Sequence, residues 1–406
     1  MSPAARRSGA SGRPVVAVLT GHWGSKTEEG WLTRQVAGAL ACVADVHVIC
    51  PEGRRASTSQ DGVFTLHRLG TPLERTAELR RDLIVEALAA AGPTDRATVP
   101  AGVGKALDDG LIEPWRGASE VLSQLSPDLA VAVGQRNLGA LAAIDDRAPE
   151  LPVVLLALAL PGTVGASPHF DRMIDRARQV LAVTETERQE IVDRHGRPES
   201  VHRIGAPLTA NASVLAEPNT WVGDTGYVFI HTGVASDDDH VEAELSRIVR
   251  LRFDDRPVGV AHTDGFFVWH EGRRQRGWAI ERSSDLARLM AWARVTVDLH
   301  PGRLFARTCV ESLLYGTAIV VPADSRAREY AQRGRGGLWF GDAAELTWCV
   351  ESLLETSAGD VLGAQGQAYA EYEFGSTDRF IDRVTGLCGL TATIDESPAD
   401  RLPTPA

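Results

Sequence analysis

The segment from 295 to 340 carries the side chains with the clearest capacity for chemistry. A β-branched run at 295–299 is followed by the loop HPGRLFAR, which holds the polar or cationic residues His300, Arg303 and Arg307. A helical pattern begins at Thr308 and puts Glu311 at its N-terminal end, facing the loop. Arginines in a binding loop hold phosphate or carboxylate groups through paired hydrogen bonds. The pattern therefore indicates a ligand-binding loop or, alternatively, an ordinary strand-loop-helix unit with a solvated loop.

The elements that follow this loop would fix its position. Gly316 stops the helix, Thr317 comes next, and the apolar run at 318–321 predicts a buried strand that ends at Pro322. In open α/β sheets, a loop, a helix N-terminus and the carboxyl ends of parallel strands together bind phosphorylated ligands. We therefore interpret the segment as one half of a ligand cleft.

A second candidate site lies near the start of the chain. The strand predicted at 15–20 runs into a glycine-containing turn, and helical periodicity follows at 28–44. Glycines in the first turn of a strand-helix-strand unit let the backbone approach a phosphate. The candidate residues of this turn are Gly21, His22, Gly24 and Ser25. The sequence GHWGSKT fails the P-loop spacing, which requires four residues between the glycines and a Gly directly before the Lys.

The 295–340 segment resembles the signature of retaining GT-B glycosyltransferases of the GT4 type. In that signature a loop Glu is followed eight positions later by a helical Glu, and then by A-x-x-x-G-T-P-V-V. Glu311 matches the second Glu, and Gly316 with Thr317 matches the Gly-Thr pair. The position of the first Glu holds Arg303. Glu329 lies where the family has a Glu shortly after G-G-x-P, although other residues replace the glycines.

A second stretch, QVLAVTETERQEIVDRHGRPESVHRIGAPL, is similar to the segment that closes the N-terminal domain in the same enzymes. Strand and helix patterns alternate in both halves of the chain. The resemblance implies an α/β GT-B fold: two Rossmann-like, doubly wound domains face a cleft, and C-terminal helices cross back to the first. The predicted segments are a disordered tail at 1–13, an N-terminal acceptor-side domain at 14–213, a linker at 214–224, a C-terminal nucleotide-sugar domain at 225–362, crossover helices at 363–390 and a disordered tail at 391–406.

Three positions differ from those that the family uses for function. Arg303 replaces the first Glu, and the place of the usual G-R-x-x-x-x-K-G reads HTGVASDDDH, without Arg or Lys. The strand predicted at 151–160 ends without the family's His. Asp237 to Asp239 favour a helix N-cap and first turn, with a metal-binding cluster as the alternative. We expect no metal.

The resemblance implies that Glu311 accepts hydrogen bonds from the ribose hydroxyls of a nucleotide, since a carboxylate can accept from both hydroxyls of a cis-diol. Arg303 has three readings. It supplies positive charge to the diphosphate, helped by Arg307 and the helix N-terminus; it pairs with a carboxylate on the donor sugar; or it turns outward in an inactive site. The candidate donor-binding residues are His300, Arg303, Arg307, Glu311, Gly316, Thr317 and Glu329, and no catalytic residue is assigned.

Composition limits the class of protein. The chain has 406 residues, of which 44% are hydrophobic and 24% charged, as expected for a soluble protein with room for two domains. Its formal charge of −12 argues against nucleic acid or a basic membrane-facing patch as a main partner. The five cysteines lie in apolar runs without C-x-x-C spacing, which predicts buried thiols in a reducing compartment. No run approaches a membrane-spanning length, so we expect a cytoplasmic protein.

The sequence therefore predicts a glycosyltransferase that moves a sugar from a nucleotide-sugar donor to an unidentified acceptor with retention and without a cofactor. The alternative is a glycosyltransferase-like protein that binds a nucleotide or a protein partner without turnover. Positive side chains from elsewhere in the chain that converge on the cleft beside Glu311 would favour the enzyme.

Overall fold

The computed structural model describes residues 12–21, 23–24, 28–52, 55–70, 113–115, 117–134, 138–158, 168–210, 214, 227–231, 258–262, 265–270, 273–276, 283–299 and 304–390. These residues divide into two compact units. The first contains the described residues up to Val183, the segment Arg188–Ile204 and those from Asp378 onward. The second contains Thr184–Glu187 and the described part of Gly205–Thr377.

An eight-stranded sheet with the order β3-β4-β2-β1-β5-β6-β7-β8 forms the centre of the first unit. Its strands are β1 (Val15–Leu19), β2 (Asp45–Cys50), β3 (Ala56–Asp61), β4 (Phe64–Leu69), β5 (Leu129–Val133), β6 (Val153–Leu156), β7 (Gln179–Ala182) and β8 (Val201–Arg203). Neighbouring strands are parallel, except that β3 pairs antiparallel with β4 at the edge. Before residue 200, the α-helices in the described residues are α1 (Glu28–Ala41), α2 (Ala118–Leu125), α3 (Leu138–Arg147), α4 (Pro168–Arg176) and α5 (Glu185–His195).

The central strands of this sheet are apolar along their whole length. All residues of β1, with the sequence VVAVL, and of β5, with the sequence LAVAV, are buried. A parallel strand that is covered on both faces has a continuous apolar run instead of alternation. Side chains from the helices, including Leu122, Ile144 and Phe170, complete the core against the sheet.

The second unit contains a seven-stranded sheet with the order β12-β11-β10-β9-β13-β14-β15. Its strands are β9 (Tyr227–His231), β10 (Val258–His262), β11 (Gly265–His270), β12 (Arg273–Arg276), β13 (Ala293–Asp298), β14 (Ala318–Pro322) and β15 (Gly337–Phe340). The pairs β10/β11 and β11/β12 are antiparallel, and the other neighbours are parallel. The helices are α6 (Ser283–Trp292), α7 (Arg307–Leu314), α8 (Arg328–Gln332), α9 (Ala343–Glu355), α10 (Ala358–Glu373) and α11 (Thr377–Leu387). From Asp378, α11 belongs to the first unit.

Helix α10 packs closely against the C-terminal end of α7. Gly316 ends α7 with a φ of +77°. A Cβ added at Gly363 would lie 2.0 Å from the carbonyl oxygen of Gly316, and one at Gly366 would lie 2.4 Å from Cδ2 of Leu313. The two α10 glycines therefore let its backbone reach the end of α7, which fixes where that helix lies.

The α/β architecture and its alternation of strands and helices are confirmed. Sequence periodicity predicts strands at Tyr227–His231 and Val258–His262 and a helix at Leu138–Arg147, and the structure has these elements with the same bounds. Helix α7 begins one residue before the predicted start at Thr308. The sequence TETE at 184–187 predicts a capped helix start, and the Oγ1 of Thr184 accepts a hydrogen bond of 3.1 Å from the backbone N–H of Glu187 at the start of α5.

The sequence pattern predicts a largely helical region at 66–124, and this prediction is wrong at its start. Leu66 to Leu69 lie in β4, which forms a hairpin with β3 around Gly62, whose φ is +60°. The missed signal was the alternation in FTLHRL, where Phe64 and Leu66 are buried and Thr65 between them is partly exposed. Residues 71–112, the helix predicted at 237–251 and the linker predicted at 214–224, apart from Val214, lie outside the described residues.

None of the five cysteines forms a disulfide, and all except Cys42 are buried. Burial raises the pKa of Cys50 and Cys388 to about 12 and that of Cys349 to about 11. These three thiols are therefore protonated at neutral pH and pack as small apolar side chains, as the sequence predicts.

Candidate functional site

Each sheet has one point where the strand order reverses. In the first unit the chain continues from β1 to β2 on one side and to β5 on the other, and in the second unit β9 lies between β10 and β13. Open α/β sheets bind ligands in the crevice outside the carboxyl ends of the strands at such a switch point. The candidate crevices therefore lie after β1 and β5 in the first unit and after β9 and β13 in the second.

Helix α7 begins at the carboxyl edge of the second sheet with an unusual N-terminus. Its N-cap residue, Ala306, has a φ of +51°, provides no side-chain cap, and no acidic residue follows in the first turn. The first turn instead contains Arg307. The positive end of the helix dipole favours an anion, while an arginine at that position is disfavoured by the dipole. Both features suit a negatively charged ligand.

Arg307 and Glu311 form an ion pair one helical turn apart. Arg307 Nε donates to Glu311 Oε1 at 2.7 Å, and the two side chains are 27% and 17% exposed. The pair brings together two of the predicted site residues and leaves the carboxylate accessible. Positive charge therefore does lie beside Glu311, supplied by its own helix.

Buried contacts hold this end of α7. The hydroxyl of Tyr330 on α8 donates to the carbonyl oxygen of Phe305 at 2.5 Å, and both residues are fully buried. Thr317, a predicted donor-binding residue, is buried and donates from Oγ1 to the carbonyl oxygen of Met290 at 2.9 Å. Thr317 therefore joins the ends of α6 and α7, and Gly316 supplies the turn before it.

The carboxylate of Glu329 contacts the first turn of α5. Its Oε1 accepts from the backbone N–H of Glu185 at 3.1 Å, and its Oε2 accepts from the N–H and hydroxyl of Thr186 at 2.7 and 2.8 Å. The residue is 5% exposed. These three bonds cap a helix N-terminus, where a carboxylate is stabilised by the dipole. In this structure both oxygens of Glu329 are used for that contact.

Two polar residues that we did not predict lie at the switch point of the second sheet. His231 and Asp298 are the last residues of β9 and β13 and face each other in the strand register. Asp298 is 1% exposed, its Oδ2 accepts from the thiol of Cys309 at 3.5 Å, and its Oδ1 lies 4.0 Å from Nδ1 of His231. The available sequence signal was a polar residue that ends an apolar strand, in YVFIH and in VTVD.

The switch point of the first sheet is lined by glycine and carboxylate. The backbone N–H of Gly24 donates to Glu52 Oε2 at 3.3 Å. At the end of β5, Gly134 has a φ of +77°, and a Cβ there would lie 2.8 Å from Oε1 of Glu29. Gly21 directly follows Thr20, which is buried after β1. A carboxylate therefore already occupies the Gly24 amide in the turn that we predicted for a phosphate.

Several predicted residues lie outside the described part of the chain: His22, Ser25, His300, Arg303 and Asp237 to Asp239. Within the described residues, no group of three or more His, Cys, Asp or Glu side chains is arranged to hold a metal ion. No helix in that same part of the chain combines the length and apolar character needed to cross a membrane.

Two doubly wound sheets in one chain are the architecture of the GT-B class, and solved structures agree. No family model matches the chain, and no curated protein matches it. The chain is similar to α,α-trehalose 6-phosphate synthase from Burkholderia multivorans, with 12% identity, a TM-score of 0.64 and coverage of 93% of this chain and 98% of that one.

Two further solved structures give the same answer. Sucrose-phosphate synthase from Thermosynechococcus elongatus shows 12% identity and a TM-score of 0.62 over 92% of this chain and 98% of that one. A trehalose-6-phosphate structure from E. coli bound with UDP-2-fluoro glucose shows 10% identity and a TM-score of 0.62 over 93% and 99%. At these identities the likeness concerns the fold, and the chain has the GT-B fold.

Proposed function

We propose that this chain is a glycosyltransferase that takes a sugar from a nucleotide-sugar donor and transfers it, with retention, to an acceptor that remains to be identified. The observation that carries the proposal is the N-terminus of α7. It lacks a side-chain cap and an acidic first turn, and it presents Arg307 beside Glu311 at the carboxyl edge of the second sheet. We assign the donor to the second unit and the acceptor to the first.

The similar solved structures support this chemistry. One of them is bound with UDP-2-fluoro glucose, and another concerns enzymatic glycosyltransfer with retention by trehalose-6-phosphate synthase. The E-x7-E-like segment supports a GT4-like enzyme, and the composition supports a cytoplasmic location.

The reaction requires the site to bind a diphosphate and a nucleoside together. The bond between the anomeric carbon and the diphosphate oxygen breaks, and its electron pair leaves with the diphosphate. An acceptor hydroxyl oxygen bonds to the same carbon on the same face, and its proton passes to a departing phosphate oxygen. The N-terminus of α7 and Arg307 stabilise the departing charge, because fixed donors outside bulk water do so without reorganisation. Glu311 accepts hydrogen bonds from the ribose hydroxyls.

The test is nucleotide binding and turnover by the full chain. UDP, ADP, GDP and dTDP, and the glucose conjugates of each, are screened by thermal shift, and the best ligand is followed by calorimetry. A ligand at a hundred times its dissociation constant adds about 2.7 kcal/mol to the free energy of unfolding. Glu311→Gln should weaken nucleotide binding by about 1.5–3 kcal/mol, the range for a hydrogen bond to a charged group.

Glu355→Gln is the matched control, since Glu355 is an exposed helical glutamate at the end of α9 in the same unit. It should leave binding unchanged. Equal affinity of the Glu311 variant and the unmodified chain, with both folded, would contradict the ribose assignment. Absence of any nucleotide-induced shift would overturn the proposal as a whole.

A nucleotide-binding protein without turnover is the second candidate. It is favoured by Glu329, whose two carboxylate oxygens are held by the first turn of α5. In that case the nucleotide shift and its loss in Glu311→Gln persist, while neither sugar transfer nor donor hydrolysis is detected with any of the four donors.

A further inference from the structure

The His231 and Asp298 pair lies where ligands bind in this kind of sheet, yet the motif that suggested the donor site contains neither residue. Both residues end strands at the switch point of the second unit. The backbone of β9 and β13 places them side by side, and His231 is 16% exposed while Asp298 is enclosed. The imidazole is thus the accessible member, and the carboxylate is its buried neighbour.

The environment of the pair fixes its geometry. Asp298 Oδ2 accepts from Cys309 Sγ at 3.5 Å, so the first turn of α7 holds one carboxylate oxygen. Its other oxygen lies 4.0 Å from His231 Nδ1, and the His231 ring stacks on Phe229 with centroids 6.5 Å apart. A buried carboxylate at this distance balances the charge of a protonated imidazole. A positive charge on the His231 ring would therefore lie close to a buried carboxylate at the mouth of the crevice.

The sequence around His231 shows why such a charge is needed. His231 is the first residue of HTGVASDDDH, which contains no Arg or Lys. The resemblance to GT4-type enzymes implies an Arg and a Lys at this place. A diphosphate that leaves a sugar must be neutralised at the point where its charge develops. Resting on the proposed function, we propose that His231, oriented by Asp298, touches the diphosphate of the nucleotide-sugar donor and supplies charge that the missing Arg/Lys pair would provide.

The two roles are different. His231 contacts the phosphate oxygens, and its N–H donates a charge-assisted hydrogen bond to them. Asp298 is a positioning residue that acts through His231. The ionisable groups that the described residues bring to the pair are Asp298 on β13 and Cys309 on α7, and α7 also carries the Arg307–Glu311 pair. No proton has to leave His231 for this electrostatic role.

The experiment compares UDP with uridine by calorimetry at about pH 6 and about pH 8, on either side of the usual histidine range. If ADP, GDP or dTDP binds better than UDP in the screen above, that diphosphate and its own nucleoside are used instead of UDP and uridine. His231→Gln should lower the affinity for the diphosphate about tenfold or more at the lower pH and leave that for the nucleoside unchanged. The difference between variant and unmodified chain should shrink at the higher pH, where the imidazole is neutral.

His270→Gln is the matched control. His270 ends β11, which runs antiparallel to β10, so it lies at the opposite edge of the same sheet. It should match the unmodified chain at both pH values. Titration of the ligand's own phosphate contributes equally in all variants. It therefore cancels when a variant is compared with the unmodified chain.

Asp298→Asn tests the positioning role. It keeps the shape of the side chain and removes its charge, so diphosphate affinity at the lower pH should fall toward that of His231→Gln. Circular dichroism checks that each variant is folded. His231→Gln, at a partly exposed site, decides the proposal even if the buried Asp298 variant unfolds.

The outcomes separate the two levels of the argument. If the unmodified chain binds the diphosphate and His231→Gln binds it equally at both pH values, His231 does not touch the phosphate and the inference is overturned. Equal losses for diphosphate and nucleoside would also overturn it. If no nucleotide binds the unmodified chain, the proposed function itself fails and the inference fails with it.

Discussion

The two switch points of the molecule have the same topology and differ in the side chains around them. In the second unit, the described residues provide a histidine, an arginine and an uncapped helix N-terminus beside two carboxylates. In the first unit, the edge carries glycines at 21, 24 and 134, and the carboxylates of Glu29 and Glu52 lie against two of them. Both edges carry two carboxylates, and the histidine and the helix N-terminus of the second unit favour that unit for the diphosphate.

The comparison also shows what a glycine near a sheet edge means. A glycine in the first turn leaves room for a phosphate, but the same room accepts a side-chain carboxylate from the same unit. The Gly24 amide bonds to Glu52, so its geometry resembles an anion site that is already filled. The residue type alone therefore does not distinguish a binding turn from a structural one.

The largest expected effect comes from breaking the support of the second switch point. Gly363→Ala would place a Cβ 2.0 Å from the carbonyl oxygen of Gly316, so α10 must move away from the end of α7. We expect a loss of about 3 kcal/mol in the free energy of unfolding, the upper part of the range for overpacking. Urea denaturation followed by circular dichroism measures it.

The control for that change is Gly386→Ala. Gly386 is also helical, in α11, but nothing lies within 4 Å of its added Cβ. It should stabilise the chain by about 0.5 kcal/mol through the higher helix propensity of alanine. A similar loss in both variants would show that the close approach of α10 to Gly316 has no special role.

A smaller effect is expected at the switch point of the first unit. Gly134→Ala combines a φ of +77° with a Cβ that would lie 2.8 Å from Oε1 of Glu29. The backbone strain should cost about 1–2 kcal/mol, while the carboxylate, at the end of a flexible side chain, moves aside. Unfolding of Gly134→Ala, Glu29→Ala and the double variant gives the coupling between them.

If strain dominates, the double variant should lose nearly the sum of the two single losses. A large rescue by Glu29→Ala would mean instead that the contact with the carboxylate is the main cost. The coupling free energy thus measures how strongly the Glu29 carboxylate is held at the switch point of the first unit.

The smallest effect concerns His47 and His67, whose imidazole rings contact each other. They contrast with His231, which lies beside the buried carboxylate of Asp298. His47 Nδ1 lies 3.0 Å from His67 Nε2, and His67 Nδ1 lies 3.2 Å from Oγ1 of Thr58. Burial lowers the pKa of both histidines; for His47 the charge of Asp45 opposes that shift, and for His67 the neighbouring His47 adds to it. The folded chain therefore binds these protons less readily than the unfolded chain.

The sign of the pH effect follows. Above about pH 6.5 both rings are neutral in both states and cost nothing. As the pH falls below that value, the unfolded chain takes up protons first, so the free energy of unfolding decreases. The melting temperature of the unmodified chain should drop more between about pH 7.5 and 5.5 than that of His47→Gln/His67→Gln. An equal drop in the two chains would show that the pair does not contribute.

Periodicity in the sequence was sufficient for most of the fold. Apolar runs such as VVAVL and YVFIH end at turns or polar residues, and the strands end within a residue or two of those points. The missed hairpin of β3 and β4 has short alternating strands with few apolar residues, ASTSQD and FTLHRL, whose pairing depends on the partner strand more than on local preference.

The candidate site was only partly predictable for a different reason. Arg307 and Glu311 are four residues apart on one helix, so their contact can be inferred from helical spacing. His231 and Asp298 are 67 positions apart along the chain by their numbering, and only the strand order β9-β13 makes them neighbours. Similarly, Glu329 caps α5 only because the fold brings it to the backbone of Glu185 and Thr186. No local sequence pattern predicts that contact.

The buried thiols described above make the chain a convenient host for site-directed labelling. Cys50, Cys349 and Cys388 are enclosed and hold their protons, with pKa values raised to about 12, 11 and 12, and the thiolate is the form that reacts. Cys309 is buried as well, so Cys42, which directly follows α1, is the partly exposed thiol. In a Cys42→Ser background, a cysteine introduced at exposed Trp348 or Tyr372 would take up a maleimide dye selectively. A fluorescent reporter could thus be attached to the second unit without altering its interior.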